Sequence, residues 1–379
     1  SDHIDISCSS EYPAIAYDGI QVNAGLLLFT KNQQFMLTTD SDVLSPQTAK
    51  INAVSTYNFN YKTNPISMGT TVAFLDNAGK YTRFFEISNT LREGQPEVIE
   101  QSKVVSKLFP KDITLIANSR ENSVIFFTIK DTDTIYGYRY FNAGTERAQQ
   151  SWFKWKISGK IQHIAMLDDS LFAVTRDDEK DVLQKFSIKL EDSSHFITDS
   201  IDYRIHLDNA KIFASSTLTY NSSGNYTHFP IGDGFNSKTG QLAAFIITAG
   251  DDQGITENAT TFTEDGVLSV KLSGDWTSDV AFDLVLGYLF EMEVKFPTIY
   301  FQQQMGDRFR SDIHSNLVLH RAKFSLGPSG VYETTLSRLG KPDYTQLYES
   351  TTADQYIPNK VGFDPEQKVT IPIYERNTN

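Results

Sequence analysis

Four short apolar runs recur along the first half of the chain: LLLF at 26–29, VAFL at 72–75, VIFF at 124–127 and LFAV at 171–174. Their starting positions are 46, 52 and 47 residues apart. Each is followed, across a polar turn, by a second strand-like run at 34–38, 81–87, 135–140 and 182–188. A period of about 40 to 50 residues carrying antiparallel strands is the mark of a β-propeller, whose blades each bury a sheet face against their neighbours. No single repeat has enough partner surface to fold alone. The repeats are therefore expected to build a rigid platform, and platforms serve assembly more widely than any one chemistry.

At 379 residues the chain exceeds one ordinary core, because compact domains run to about 100 to 200 residues, and two domains are expected. With 26 phenylalanines and 18 tyrosines beside abundant Thr, Ser, Val and Ile, the sequence favours strands over helices. The predicted fold class is all-β: β-propeller-like blades over 1–195, incomplete as a propeller, followed over 196–379 by an antiparallel β-sandwich or barrel-like domain with long loops. The boundary is placed where the hairpin rhythm stops, at the polar run EDSS of 191–194. Beyond it, strands are expected at 211–218, 241–248, 267–272 and 282–294, then at 316–325, 331–339 and 369–374. The glycine- and asparagine-rich stretch 220–240 is expected to stay irregular. The strand at 369–374 has only five residues after it, so its partner must come from elsewhere; with Ser1 in first place, the chain reads as a fragment or a processed piece.

A formal charge of −13 argues against a protein that grips nucleic acid through its phosphates, since that binding draws on Lys and Arg displacing counterions. A surface past which DNA slides without sticking should equally be neutral or acidic, so the sign leaves both readings open. No stretch approaches the roughly 18 consecutive apolar residues of a spanning helix, and no membrane anchor is expected. Cys8 is the only cysteine, which excludes an internal disulfide within these residues. The glycan-acceptor triplets at Asn221, Asn225 and Asn258 lie in Ser/Thr/Asn-rich segments where such triplets arise by chance.

No His-Glu-x-x-His run, Gly-x-Ser-x-Gly elbow or phosphate loop is present, and no catalytic, cofactor-binding or metal-ligating residues are expected. His314 and His320, six apart near a predicted strand, fall on one face, and solvated histidines are the plainer account of them. Paired carboxylates at Asp168 and Asp169, at Asp177, Asp178 and Glu179, and at Asp251 and Asp252 are weighed as a glycosidase pair, the alternative being hairpin-tip aspartates that cap their own backbone. The segment QQQMGDRFRSDIH at 302–314 reads as a polar loop whose Asp307, Arg308 and Arg310 are either a solvated tip or a channel-lining or contact loop. In ERAQQSWFKWK at 146–156, Trp152 and Trp155 are three apart, so on a strand they point to opposite faces, one inward and one toward a neighbouring blade or subunit.

Taken in order, several segments resemble the tail tubular protein B family, the nozzle proteins of short-tailed T7-like bacteriophages. DHIDIS at 2–7 is similar to the family's acidic opening strand, and GLLLFTKNQQFMLT at 25–38 to its hairpin of an aliphatic run, a polar turn and a Gln-Phe-x-Leu strand. Leu44, Ser45 and Pro46 then precede an extended strand, 65–74 precedes 81–86, YGYRY at 136–140 precedes 146–155, and IPIYERN at 371–377 resembles a late family strand. Arg147, Trp152 and Trp155 are the family-like structural residues. The resemblance covers 1–190 well and 290–379 moderately. Family chains run longer at both ends, which implies a piece of a larger protein, with 196–379 as a nozzle or tip and platform-like region truncated at its C-terminus.

What the resemblance implies is a structural component of the virion tail: a hexamer below the tail adaptor protein, forming the distal DNA-ejection channel and helping to dock tail fibres. Double-stranded DNA would pass without tight binding, and no catalysis or cofactor is implied. A soluble β-propeller glycoside hydrolase or carbohydrate-binding module, using hairpin-tip carboxylates and aromatics such as Tyr220 and Tyr226, remains the alternative.

Overall fold

The computed structural model describes residues 14–22, 25–41, 43–69, 71–92, 95–143, 146–177, 180–188, 205–232, 235, 241–277, 282–295, 299–306, 308–312, 315–326, 332–338, 340–348 and 367–376. These form strands joined by turns and two short 3-10 turns, with no α-helix among the described residues. The chain divides into two compact units, 1–191 and 192–379.

The first unit is a succession of antiparallel meanders, one for each sequence repeat. The first holds β1 (Ala16–Val22), β2 (Gly25–Thr30), β3 (Gln34–Thr39) and β4 (Ala49–Ser55), and the second β5 (Ile66–Ser67), β6 (Thr71–Asp76), β7 (Arg83–Arg92) and β8 (Gln95–Glu100). The third holds β9 (Leu115–Ser119), β10 (Val124–Thr128), β11 (Thr134–Ala143) and β12 (Glu146–Lys156). The fourth is three-stranded, with β13 (Lys160–Leu167), β14 (Ser170–Asp177) and β15 (Lys180–Ser187). Among the described residues none of these sheets closes on itself. The four apolar runs are the inner strands β2, β6, β10 and β14, and the runs that follow them are β3, β7, β11 and β15.

Why those runs are continuous and not alternating follows from the packing. Neighbouring side chains on a strand face opposite ways, so a strand covered on both sides needs apolar residues at every position. On β6, Val72 and Phe74 pack with Leu27 and Phe29 of the first sheet, while Ala73 and Leu75 pack with Ile125 and Phe127 of the third. On β10, Ile125 and Phe127 face back, and Val124 and Phe126 face forward onto Leu171 and Ala173 of the fourth. All five residues of β10 are buried. Successive sheets are thus stacked face to face, and each interface is filled from both sides.

The second unit is built round a seven-stranded antiparallel sheet. Its strands in chain order are β16 (Asp208–Phe213), β17 (Thr219–Asn221), β18 (Tyr226–Pro230), β19 (Leu242–Ile246), β20 (Thr256–Glu264), β21 (Val267–Ser273) and β22 (Leu284–Tyr288), and their spatial order is β16-β22-β19-β20-β21-β18-β17. The long strand β20 serves two ladders: Thr256 to Ala259 pair with β19, and Thr260 to Glu264 pair with β21. Leu242, Ala244, Leu284 and Leu286 from one half share a single core with Phe229, Val270 and Leu272 from the other. Three two-stranded elements follow: the hairpin of β23 (Phe301–Met305) and β24 (Arg308–Asp312), the pair of β25 (Val318–Leu326) with β28 (Gln367–Arg376), and the hairpin of β26 (Tyr332–Arg338) and β27 (Lys341–Tyr348).

Four expectations are corrected here. The stretch 220–240 is not irregular throughout: β17 and β18 form a hairpin across Gly224 and Asn225, the latter at φ 50°, a left-handed conformation that asparagine tolerates better than most residues. The strand expected over 282–294 ends at Tyr288. Its two ladder partners run out there, since Tyr288 pairs with Asp208 on one side and Leu242 on the other, each the first residue of its strand. The loop expected over 302–314 is mostly hairpin, because Phe301 to Met305 pair residue by residue with Asp312 to Arg308. The strand near the C-terminus finds its partner upstream in β25.

Candidate functional site

Among the sequence candidates, Arg147 has the most developed surroundings, and a bulge puts it there. On β11 and β12, Tyr138 pairs with Trp152 and Tyr140 with Gln150, but the register then slips, so that Phe141 pairs with Gln149 and Asn142 with Arg147. The extra residue, Ala148, reverses the alternation. Arg147 therefore joins Tyr138 and Tyr140 on the face toward the second sheet, where strict alternation from Trp152 would have turned it the other way.

Across that interface lies Glu86 of β7, whose neighbours Phe85 and Ile87 face the first sheet. The Glu86 side chain is 4% exposed and that of Arg147 18%. The guanidinium meets both carboxylate oxygens, Nη1 on Oε1 at 3.0 Å and Nη2 on Oε2 at 2.8 Å, and its Nε donates to Asn142 Oδ1 at 2.7 Å. Nη1 also donates to the Tyr138 hydroxyl, which in turn donates to Gln150 Oε1 at 3.0 Å. Arg147 stands over the Tyr140 ring, 4.9 Å from its centroid. A two-pronged charged pair with its remaining groups satisfied is the form in which a buried ion pair is tolerated.

The electrostatics follow from this enclosure. Burial, and then the Glu86 charge, hold the Tyr138 hydroxyl far above the ordinary tyrosine value; Tyr140 moves the same way for the same causes. For Arg147, burial alone would lower the value, but the hydrogen bond to Glu86 and its charge outweigh it and raise the result. The cluster is an ionic pin between the second and third sheets.

Trp152 and Trp155 lie on opposite faces of the third sheet. Trp152 stacks on Tyr138 at 4.1 Å between centroids and meets Phe84 and Phe109 edge-on, on the side of the second sheet. Trp155 packs with Phe126 and Phe186, on the side of the fourth. Beside the pin an open depression of about 970 Å³ is lined by Glu121, Arg139, Tyr140, Phe141 and Gln149 among others, with both signs of charge facing solvent.

The remaining candidates are dispersed. Asp307 lies outside the described residues; Arg308 opens β24, and Arg310 on the same strand is exposed. They belong to the second unit and Arg147, Trp152 and Trp155 to the first. Asp168 sits at the β13–β14 turn, where Asp169 accepts from Asn122 Nδ2 at 2.9 Å. Asp177 ends β14, Asp178 and Glu179 lie outside the described residues, and Asp251 and Asp252 are in the turn between β19 and β20. His314 is outside the described residues, and His320 of β25 meets the Tyr374 ring edge-on at 6.0 Å. The described residues contain no group of three His, Cys, Asp or Glu side chains placed to hold a metal ion.

Glu86, Tyr138, Tyr140 and Gln150 were not singled out from the sequence. The one local signal was Glu86 itself, a charge inside the apolar run 84–87.

A family model described as bacteriophage nozzle protein matches residues 1–379. No curated protein matches the chain.

Proposed function

The chain belongs to the bacteriophage nozzle protein family, and from that premise we propose that its stacked meanders are blades of a collar around the distal end of the tail's DNA-ejection channel. Members of this family are structural components of the virion tail and not enzymes, which sets aside the glycoside hydrolase reading. A tail component assembles with other tail proteins. The finer reading has the blades in 1–195 and a nozzle or tip region in 196–379. Six copies form a ring below the tail adaptor, tail fibres dock on it, and double-stranded DNA passes through.

The observation that carries this reading is the double-sided burial of β6 and β10. A sheet covered on both faces by like sheets extends naturally into a radial array, and such an array is stiff. Buried pins such as Glu86 with Arg147 suit a part that bears load without chemistry. A formal charge of −13 per copy supports a conduit that repels phosphate, and Asp307 with Arg308 and Arg310 of the β23–β24 hairpin serve as contact residues toward a neighbouring tail protein.

Two measurements test it. Negative-stain images of the purified chain mixed with its tail adaptor should show six-fold rings, and duplex DNA titrated at physiological salt should show no tight binding. Tight, salt-sensitive DNA binding would overturn the repelling conduit, and an adaptor mixture without rings would overturn the collar.

A further inference from the structure

The third sheet carries an open patch that the packing of the stack does not use. β11 and β12 present Ile135, Phe153 and Trp155 to the fourth sheet, and the same face runs on past that cover, where Arg139 pairs with Ser151 and Phe141 with Gln149. Side chains two apart on a strand share a face, so these four make a two-by-two grid, about 7 Å along the strands and about 5 Å across them. All four are exposed, Phe141 at 57%. They line the depression of about 970 Å³, to which the β9–β10 turn adds Glu121 and Asn122. Asn122 is held in place by its amide nitrogen, which donates to Ser119 Oγ and to Asp169 Oδ1, both at 2.9 Å, and its own Oδ1 stays open.

We propose that this patch binds a carboxylate-bearing saccharide, a uronic or sialic acid unit of a glycan chain. Among the described residues the side chains of Arg139, Gln149, Ser151 and Glu121 make no hydrogen bond or ion pair, so each is available to a ligand. A guanidinium without a counter-charge is a fork for a carboxylate. The Phe141 ring, one grid step from it, offers an apolar face against which the C–H face of a sugar ring packs. Gln149, Ser151 and the Asn122 Oδ1 supply the donors and acceptors that ring hydroxyls need, and the Glu121 carboxylate accepts from hydroxyls while it repels a doubly charged phosphate. β11 is paired on both sides, so the floor presents side chains and no free main chain, which argues against an added peptide strand. The open side admits a unit within a longer glycan. Binding here makes and breaks no bond.

The test is calorimetric titration of the full chain with trigalacturonate and with sialyllactose, each beside a neutral counterpart, the methyl ester of trigalacturonate and lactose. At least one acidic sugar should bind with a Kd below about 1 mM, and its neutral counterpart at least about tenfold more weakly. Arg139→Gln should bring the acidic sugar down to the affinity of its neutral counterpart, because it removes the fork alone. Phe141→Ala should weaken the acidic sugar at least about threefold through loss of the ring face. Both side chains are exposed, and circular dichroism checks that the variants fold as the unaltered chain does. If neither acidic sugar binds, if the neutral counterparts bind as tightly, or if either substitution in a folded chain leaves the Kd unchanged, the saccharide site is overturned. Ring formation with the adaptor is a separate measurement, so the collar and the saccharide site can each fail alone.

Discussion

Arg147 shows how one residue's role depends on a slip of register. Its charge is plain in the sequence, but its partner Glu86 is 61 residues away and reaches it only because Ala148 shifts the ladder. Arg147→Met should destabilise the first unit by about 3–5 kcal/mol, since it leaves a carboxylate buried without a counter-charge; adding Glu86→Leu should recover most of that loss in urea titrations. The tyrosines around the pin predict a pH dependence. Their hydroxyls have raised values in the folded chain, so the unfolded chain ionises first. The stability they contribute is whole below the unfolded tyrosine value of about 10 and is lost as pH climbs through the folded values. Urea midpoints followed by tryptophan fluorescence should fall once pH passes about 10, and less steeply in Tyr140→Phe. Gly137 is a different case: it pairs with Phe153 across β11 and β12, and a Cβ there would run into the Phe153 ring. Gly137→Ala should cost about 1–3 kcal/mol by overpacking, measured the same way.

At the scale of elements, the inner strands β6 and β10 decide the first unit. Phe127 of β10 meets Phe84 and Phe109 edge-on in the interface with the second sheet, so truncating it opens a cavity that neither sheet can close alone. Phe127→Ala should lower stability by about 3–5 kcal/mol, whereas Leu183→Ala on β15, 67% exposed, should stay within about 0.5 kcal/mol. Strand identity was well marked where burial is two-sided, because VIFF and VAFL have no helical period. It was misread at 289–294, where the composition continues as a strand and the ladder does not. Alternation tells that a segment is able to pair; whether it pairs depends on how long its neighbours run.

For the whole molecule, division into two units has a calorimetric consequence. Phe127→Ala should lower the melting of the unit formed by 1–191 and leave the transition of 192–379 in place, as two separable heat-absorption peaks in the variant. A single peak shifted as one would show that the units melt together. The sequence by itself determined the all-β class, the four-fold repeat and the position of each inner strand, because those follow from local composition and from spacing that any reader of the chain can count. It also carried the family, through motifs in a fixed order. Only the tertiary structure decided which face each residue takes, that Arg147 turns inward to Glu86, that β20 serves two ladders, and that the ladders of β22 end at Tyr288 although the strand pattern runs on. Those outcomes depend on register and on where neighbouring strands stop, which are set by contacts between residues far apart in the chain.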